Sequence, residues 1–329
     1  MGAQAEFSID ILKLDPSRET ERICAWLRTS VGERLRRRGA VVALSGGVDS
    51  SVVGALCTRA LGKNRVFGLL MPEGESSDDT RRLSREVALH LGIESSEVEI
   101  SPLLEAAGCY QKRDDAVRRV VPSYGPGWTC KIVLPGVLAS DRLPIFSVVA
   151  ISPEGQETRV RLTLEAYLGI VASTNFKQRC RKMLEYYHAD RLQYAVTGTP
   201  NRLEYDLGFF VKNGDGAADV KPIAHLYKSQ VYQLAEYLGV PDEVRRRPPT
   251  TDTYSAPQSQ DEFYFALPHR EMDLCLYARN NGVQADQVAP VVGLTPEQVE
   301  RVYRDIDGKR EASRYLHTPA LVLEGSAER

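Results

Sequence analysis

The sequence predicts an α/β fold: a doubly wound, mostly parallel sheet with flanking helices and a β-rich insertion. Three observations carry this. Up to about residue 100, short apolar runs alternate with amphipathic helical segments, the rhythm of strands joined by crossover helices. At VVALSGGVDSSVVGAL, residues 41–56, an apolar strand leaves through two glycines straight into a second apolar segment. Between residues 113 and 170 the alternation fails, and it resumes afterwards.

The elements follow in order. Ile23, Trp26, Leu27, Val31 and Leu35 recur at helical spacing and predict an amphipathic helix over 18–38. A buried strand is expected over 41–44 and a helix over 50–61, with Val53, Leu56 and Leu61 inward. A second strand at 66–71 is stopped by Pro72. A helix over 78–91 places Leu83, Val87 and Leu91 on one face, and a third strand is expected at 97–100. The segment 113–170 carries VPSYGPGW, KIVLPG and FSVVAISPEGQETRVRL, with SPEG as a hairpin turn between β-branched runs. Helical rhythm is expected again from about Asn175 to Ala189. A strand at 192–197, a helix at 229–238 and a helical segment at 260–280 come next. Thr295 opens a last helix, with Pro296 at its first position and Gln298 completing a capping box.

Composition limits the function. The 329 residues are 43 % hydrophobic and 26 % charged, with a net charge of −2. So even a balance does not suit a nucleic-acid-binding surface. No run approaches eighteen apolar residues, and the opening MGAQAEFSID has neither the basic nor the apolar region of a leader, so neither membrane nor export is expected. Glu6 occupies the place where a myristoylation signal needs Ser or Thr. The six cysteines include no Cys-x-x-Cys pair, and they read as small core residues of a protein in a reducing cytoplasm.

The turn at 45–50 carries the chemistry. A helix N-terminus offers unpaired N–H groups and a positive dipole end, and glycines before it let backbone amides close on an anion. Ser45 and Ser50 add hydroxyls. Asp49 would repel a bare phosphate, but it makes sense if a divalent cation lies between carboxylate and phosphate. The stretch lacks the Gly-Lys-Ser/Thr of a P-loop and the G-x-G-x-x-G of a dinucleotide fingerprint. A Gly-Gly turn alone is most often punctuation. Here Asp and Ser stand at fixed offsets between an apolar strand and an apolar helix, and that context favours phosphate.

SGGVDS resembles the pyrophosphate loop of the N-type ATP pyrophosphatases, which cleave ATP between its α and β phosphates, adenylate an oxygen and let a nitrogen or sulfur nucleophile displace AMP. A second block narrows the resemblance. NFKQRCRKMLEYY at 175–187 and TGTPNRLEYDLGFFVKNGDGAADVKPIAHLYKSQVYQLAEYLGVP at 197–241 are similar to the NAD synthetase family. The resemblance implies an adenine nucleotide α-hydrolase-like fold over 1–329, with 113–170 inserted. It implies ATP held by Ala43, Leu44, Ser45, Gly46, Gly47, Val48, Asp49, Ser50, Met71, Thr199, Lys228 and Thr250. Magnesium would be held by Asp49 and Glu204, with Lys228 completing the catalytic set. Deamido-NAD would meet Arg179, Lys212, Asp219 and Lys309, with Asp215 supporting the turn. Lys309 matches the family's C-terminal His-Lys pair without its His; His317 lies nearby at another spacing. Arg179 and Arg181, two apart on a helix, cannot share a face, so one of them at most points into the site.

The resemblance further implies a cytoplasmic homodimer that joins ammonia to deamido-NAD, giving NAD, AMP and pyrophosphate. No cysteine sits in a Cys/Glu/Lys glutaminase arrangement, so the nitrogen is expected as free ammonia or from a separate glutaminase. The alternatives are a related ligase for another carboxylate and a tRNA-modifying relative. The insertion adjoins the helix carrying Arg179, and its expected role is either stability and assembly or a lid that sets specificity.

Overall fold

The computed structural model describes residues 7–134, 146–248, 254–256, 264–265 and 267–323. The first helix, α1 (Pro16–Arg28), is capped by Asp15, whose carboxylate accepts from Arg18 N at 3.0 Å. The periodicity predicted one helix to residue 38. Instead α1 gives way to a π-helical turn, Thr29–Arg34, and the chain leaves through Arg36 at φ 51°. Apolar spacing alone cannot distinguish that widened turn from α-helix.

Strand β1 (Ala40–Ala43) runs into the glycine turn and α2 (Val48–Leu61). Strand β2 (Val66–Leu70) precedes α3 (Asp78–Leu91), whose Ser77 cap accepts from Thr80 N. Strand β3 is Glu94–Glu97 rather than the expected 97–100. It is an edge strand with mostly exposed side chains, so it carries no apolar signal. The fully buried Ile100 that suggested a strand instead stands before α4 (Ser101–Ala106). Helix α5 (Cys109–Arg118) follows.

The expected insertion is sheet only in its middle. Strands β4 (Thr129–Val133), β5 (Ser147–Ile151) and β6 (Glu157–Arg161) form an antiparallel sheet, with Ile132 opposite Val148 and Val148 opposite Val160. SPEG makes the β5–β6 turn, with Gly155 at φ 84°. The two ends of 113–170 are helical. Residues to 118 belong to α5, and α6 (Leu164–Leu192) starts eleven positions before the expected Asn175, capped by Thr163. The early half of α6 contains Gly169 and several β-branched residues, a poor helix-forming mixture. Ala166 and Ile170 are fully buried there, and packing on α5 overrides the local preference.

After α6 come β7 (Ala195–Thr197), α7 (Arg202–Leu207), α8 (Lys228–Tyr237) and α9 (Asp242–Arg246). The chain closes with α10 (His269–Asn280), α11 (Ala285–Val292) and α12 (Pro296–His317). Thr295 and Gln298 form the expected capping box on α12.

The main sheet is parallel in the order β3-β2-β1-β7. Its side chains alternate between two cores. Ala40 and Val42 join Leu27, Val52 and Leu234 on the α1/α2/α8 face; Val41 joins Phe67, Leu69 and Ile100 on the other. A third core lies under the small sheet, and a fourth holds α10–α12 together with Leu203 and Leu207 of α7.

Candidate active site

β1 ends at the centre of the sheet, where its C-terminal edge meets the N-terminus of α2. Gly46 sits at φ 71°, and a Cβ there would come within 3.0 Å of the α3 backbone and 2.9 Å of Leu83 Cβ. Only glycine lets the loop press against α3 this closely. Ser50 Oγ donates to Gly47 O at 3.1 Å and lies 3.2 Å from Ser45 Oγ. The hydroxyls therefore fix the loop from within: Ser50 Oγ also accepts from Ser45 N at 3.3 Å, and Ser45 Oγ accepts from Gly47 N at 3.4 Å.

Asp49, in the first turn of α2, meets residues from two distant elements. Lys228 Nζ, at the start of α8, forms an ion pair with Asp49 Oδ2. Asn201 Nδ2 donates to Asp49 Oδ1 at 3.0 Å. Asn201 is also the N-cap of α7: its Oδ1 accepts from Glu204 N at 3.2 Å, and Glu204 Oε2 accepts from Asn201 N at 3.1 Å. The two expected metal carboxylates are thus joined through one residue, Asp49 by the side chain of Asn201 and Glu204 by its backbone N–H.

Electrostatics mark the place. Burial, and next the charge of Asp49, push Glu204 up to about 8, against the pull of Lys228. Burial works against the charge on Lys228, but Asp49 and Glu204 outweigh it and hold this lysine above its ordinary value. A strained group of buried charges in a cleft is a mark of a working site.

These residues line a cavity of about 520 Å3. Ala43, Leu44, Ser45, Gly47, Val48, Asp49, Ser50, Met71, Thr199, Glu204, Asp215 and Lys228 all face it. Gly46 is in the loop but not in the lining. Thr250 lies outside the described residues. One face of α6 runs along the cavity through Tyr167, Val171, Thr174, Gln178, Arg181 and Glu185, a span of about 27 Å at 1.5 Å per residue. Phe146 and Tyr254, both packed into the insertion core, close the far end.

The residues matched to the dinucleotide lie elsewhere, with the exception of Asp215. Arg181 faces the cavity and donates to Met71 O at 3.2 Å. Arg179 is exposed and donates to Lys212 O at 3.2 Å. Lys212 Nζ donates to Tyr315 O at 2.9 Å and Thr318 O at 2.6 Å. Asp219 accepts from Val196 N at 2.8 Å. Lys309 is held by Tyr264 O at 2.6 Å and Asp305 at 2.5 Å, and burial lowers its pKa. Asp215 accepts from Val211 N at 2.8 Å, inside the turn it was expected to support. His317 meets the rings of Tyr205 and Phe210 edge-on.

Several residues at the site carried no sequence reading. Asn201 had a legible signal, since Asn-x-x-Glu is a capping-box spacing. The Lys182–Glu185 pair, at 2.7 Å on the cavity wall, had none.

The parallel sheet thus ends in a glycine turn at a helix N-terminus, with two carboxylates and a buried lysine around it, the arrangement of an α/β protein whose site suits a phosphate-bearing ligand. The family model described as NAD synthase matches residues 19–120 and 146–314, and the chain belongs to that family. The NH(3)-dependent NAD(+) synthetase of Mesorhizobium japonicum is 61 % identical over 315 residues, covering 95 % of this chain and 99 % of that one. Its counterpart in Rhizobium meliloti is 58 % identical over 317 residues, covering 96 % and 95 %. Among solved structures, NMN synthetase from Francisella tularensis superposes with a TM-score of 0.66 at 23 % identity, over 95 % of this chain and all of that one, a likeness of fold.

Proposed function

We infer that the chain forms the amide of NAD: deamido-NAD, ATP and ammonia give NAD, AMP and pyrophosphate. The observation that carries this is the meeting of the SGGVDS loop with Asp49, Glu204 and Lys228 in one cavity, in a chain of the NAD synthase family. The substrate carboxylate attacks the α phosphorus and pyrophosphate leaves. Ammonia then attacks the acyl carbon, AMP departs with the C–O electron pair, and the nitrogen loses a proton.

Each residue has a role in this scheme. The loop amides and Ser45 and Ser50 hold phosphate oxygens, and Thr199 and Thr250 add contacts to ATP. Lys228 places its charge beside the departing pyrophosphate. Asp49 and Glu204 suit Mg2+, since burial and then the charge of Asp49 raise the pKa of Glu204, and a cation between two carboxylates relieves such repulsion. When bound, the ion offsets phosphate charge. Arg179, Lys212, Asp219 and Lys309 form the deamido-NAD group, with Asp215 bracing the turn. The exposed Arg179 meets the half-buried Lys212 near the end of α12, which supports a dinucleotide lying partly outside the cavity.

The whole chain, 1–329, reads as one domain with its insertion. Leu103 on α4 and Leu168, Met183 and Tyr187 on α6 are exposed apolar side chains, which supports a homodimer. No helix among the described residues is long and apolar enough to cross a membrane. All six cysteines are buried free thiols, which supports a reducing cytoplasm. The ammonia comes free or from a separate glutaminase. Mass spectrometry of products from ATP, ammonia and deamido-NAD tests the reading. NAD and AMP in equal amounts support it; turnover only with a different carboxylate overturns it.

A further inference from the structure

Lys228 is the first residue of α8, and no side chain of that helix accepts from its first two N–H groups; Gln230 Oε1 accepts only from Tyr227 N, at 3.1 Å. The N-cap position is Tyr227, which offers no side-chain cap bond. The exposed N–H groups of a first turn need acceptors. They are supplied from another helix. Asp273, on α10, is fully buried. Its Oδ1 accepts from Lys228 N at 3.1 Å, and its Oδ2 accepts from Ser229 N at 2.6 Å and from Ser229 Oγ at 2.6 Å. One carboxylate thus takes three donors, which its four lone-pair sites allow.

The bonding is specific in direction. A buried carboxylate is costly unless hydrogen-bonded, and this one spends all three described bonds on the two residues that open α8. Its charge also faces the positive end of the α8 dipole. Lys228 leaves that same turn to reach Asp49, with its own side chain almost fully buried. Asp273 stands on α10 between Met272 and Leu274 of the α10–α12 core, whereas Val231 and Leu234 of α8 belong to the core beneath the parallel sheet.

We propose that Asp273 is a positioning residue for Lys228, through which the C-terminal helices set the place of the catalytic lysine. This rests on the role given to Lys228 above. Asp273 touches no substrate. It fixes the backbone from which the ammonium group is aimed, and small misplacements of a catalytic group cost up to about a hundredfold in rate.

Four proteins test it: Asp273→Asn, Ser229→Ala, Lys228→Ala, and Asp273→Asn combined with Lys228→Ala. The readouts are single-turnover pyrophosphate release, KM for ATP and for deamido-NAD, and the thermal midpoint. Asp273→Asn is expected to slow release about tenfold to a hundredfold, with KM for deamido-NAD held within about twofold. Ser229→Ala, which removes only the hydroxyl bond, slows it by a few-fold. In the Lys228→Ala background Asp273→Asn adds no further loss, because its effect runs through the missing amine. Wild-type release in Asp273→Asn beside an impaired Lys228→Ala overturns the inference and leaves the assigned function standing. Full activity in Lys228→Ala overturns the role of the lysine itself. An undiminished further loss in the double variant makes Asp273 purely structural and overturns the inference. If Asp273→Asn does not fold, Asp273→Glu, which shifts the charge by one methylene, is read by the same split.

Discussion

Asn201 holds Asp49 and Glu204 at once: its amide nitrogen reaches Asp49 Oδ1 at 3.0 Å, and its amide oxygen takes Glu204 N at 3.2 Å. Asn201→Asp keeps an excellent N-cap but replaces the donor facing Asp49 with a third negative charge. The expected outcome is a thermal midpoint close to wild type with a loss in kcat of about tenfold or more. Equal kcat in calorimetrically matched proteins would show that the bridge has no part in the chemistry.

Asp49→Asn and Glu204→Gln each remove one charge from the pair suited to Mg2+. AMP formation should fall by at least about a hundredfold in both, on the scale of losing one preorganised electrostatic group. Circular dichroism should show both folded. Glu204→Gln also removes a buried charge beside Asp49, so its thermal midpoint should not drop at pH 8.5. Undiminished AMP production in either variant sinks the metal assignment.

Burial raises Asp273 to about 6 from the ordinary 3.8, partly offset by its bonds to Ser229 and Lys228. A carboxyl raised in the folded state gives a stability contribution that is full below pH 3.8 and is lost as pH rises through 6. Asp273→Asn does not titrate. Between pH 4 and 8 the stability difference should therefore move in favour of the variant by up to about 3 kcal/mol. Denaturant midpoints at four pH values read this directly, and a difference that stays flat or moves the other way rules it out.

Nitrogen supply has a simple check. The family model matches residues 19–120 and 146–314, and all six thiols are buried. Purified protein should convert deamido-NAD with ammonium salts and give no NAD from glutamine alone. NAD formed from glutamine free of ammonia would refute this.

The insertion should matter to the acid more than to ATP. Residues 121–145 fall between the two matched blocks of the family model, and β4 within them holds the 254–256 segment, with Cys130 N donating to Ser255 Oγ at 2.8 Å. Replacing 121–145 by a short linker uncovers Tyr254 at the far end of the cavity. KM for deamido-NAD is expected to rise several-fold more than KM for ATP. Equal changes in both constants would make the sheet a stabilising element only.

Much of this was legible where the signal is local. β1, its glycine turn and α2 are consecutive, so strand, loop and helix announce one another within residues 40–61. Asp49, Glu204 and Lys228 could be named because they stand in stretches that resemble a known family, and the fold then gathers them in one cavity. β3 was misplaced because an exposed edge strand buries nothing and so leaves no pattern. The start of α6 was missed because its stability comes from α5 rather than from its own residues.

The choice between Arg179 and Arg181 could be posed in advance, yet only packing decides which one faces the cavity. Asp273 was out of reach. An external cap acts across 45 residues, and nothing near Lys228 or near Asp273 records the pairing. Asn201 stands between these cases: its capping spacing was visible, while its bond to Asp49 spans 152 positions.

Helix α7 carries Glu204 on only six residues, too short to persist unaided. It is gripped at both ends, by Asn201 and by Gly208, whose φ of 76° ends the helix and whose missing Cβ leaves room for Ser313; a Cβ there would lie 2.0 Å from Ser313 Cβ. Ser313 is near the end of the last helix. The place of Glu204 therefore depends on α12, which also grips α7 through the Arg310–Asp206 pair at 2.7 Å, so any loosening of the last helix is felt at the carboxylate beside Asp49.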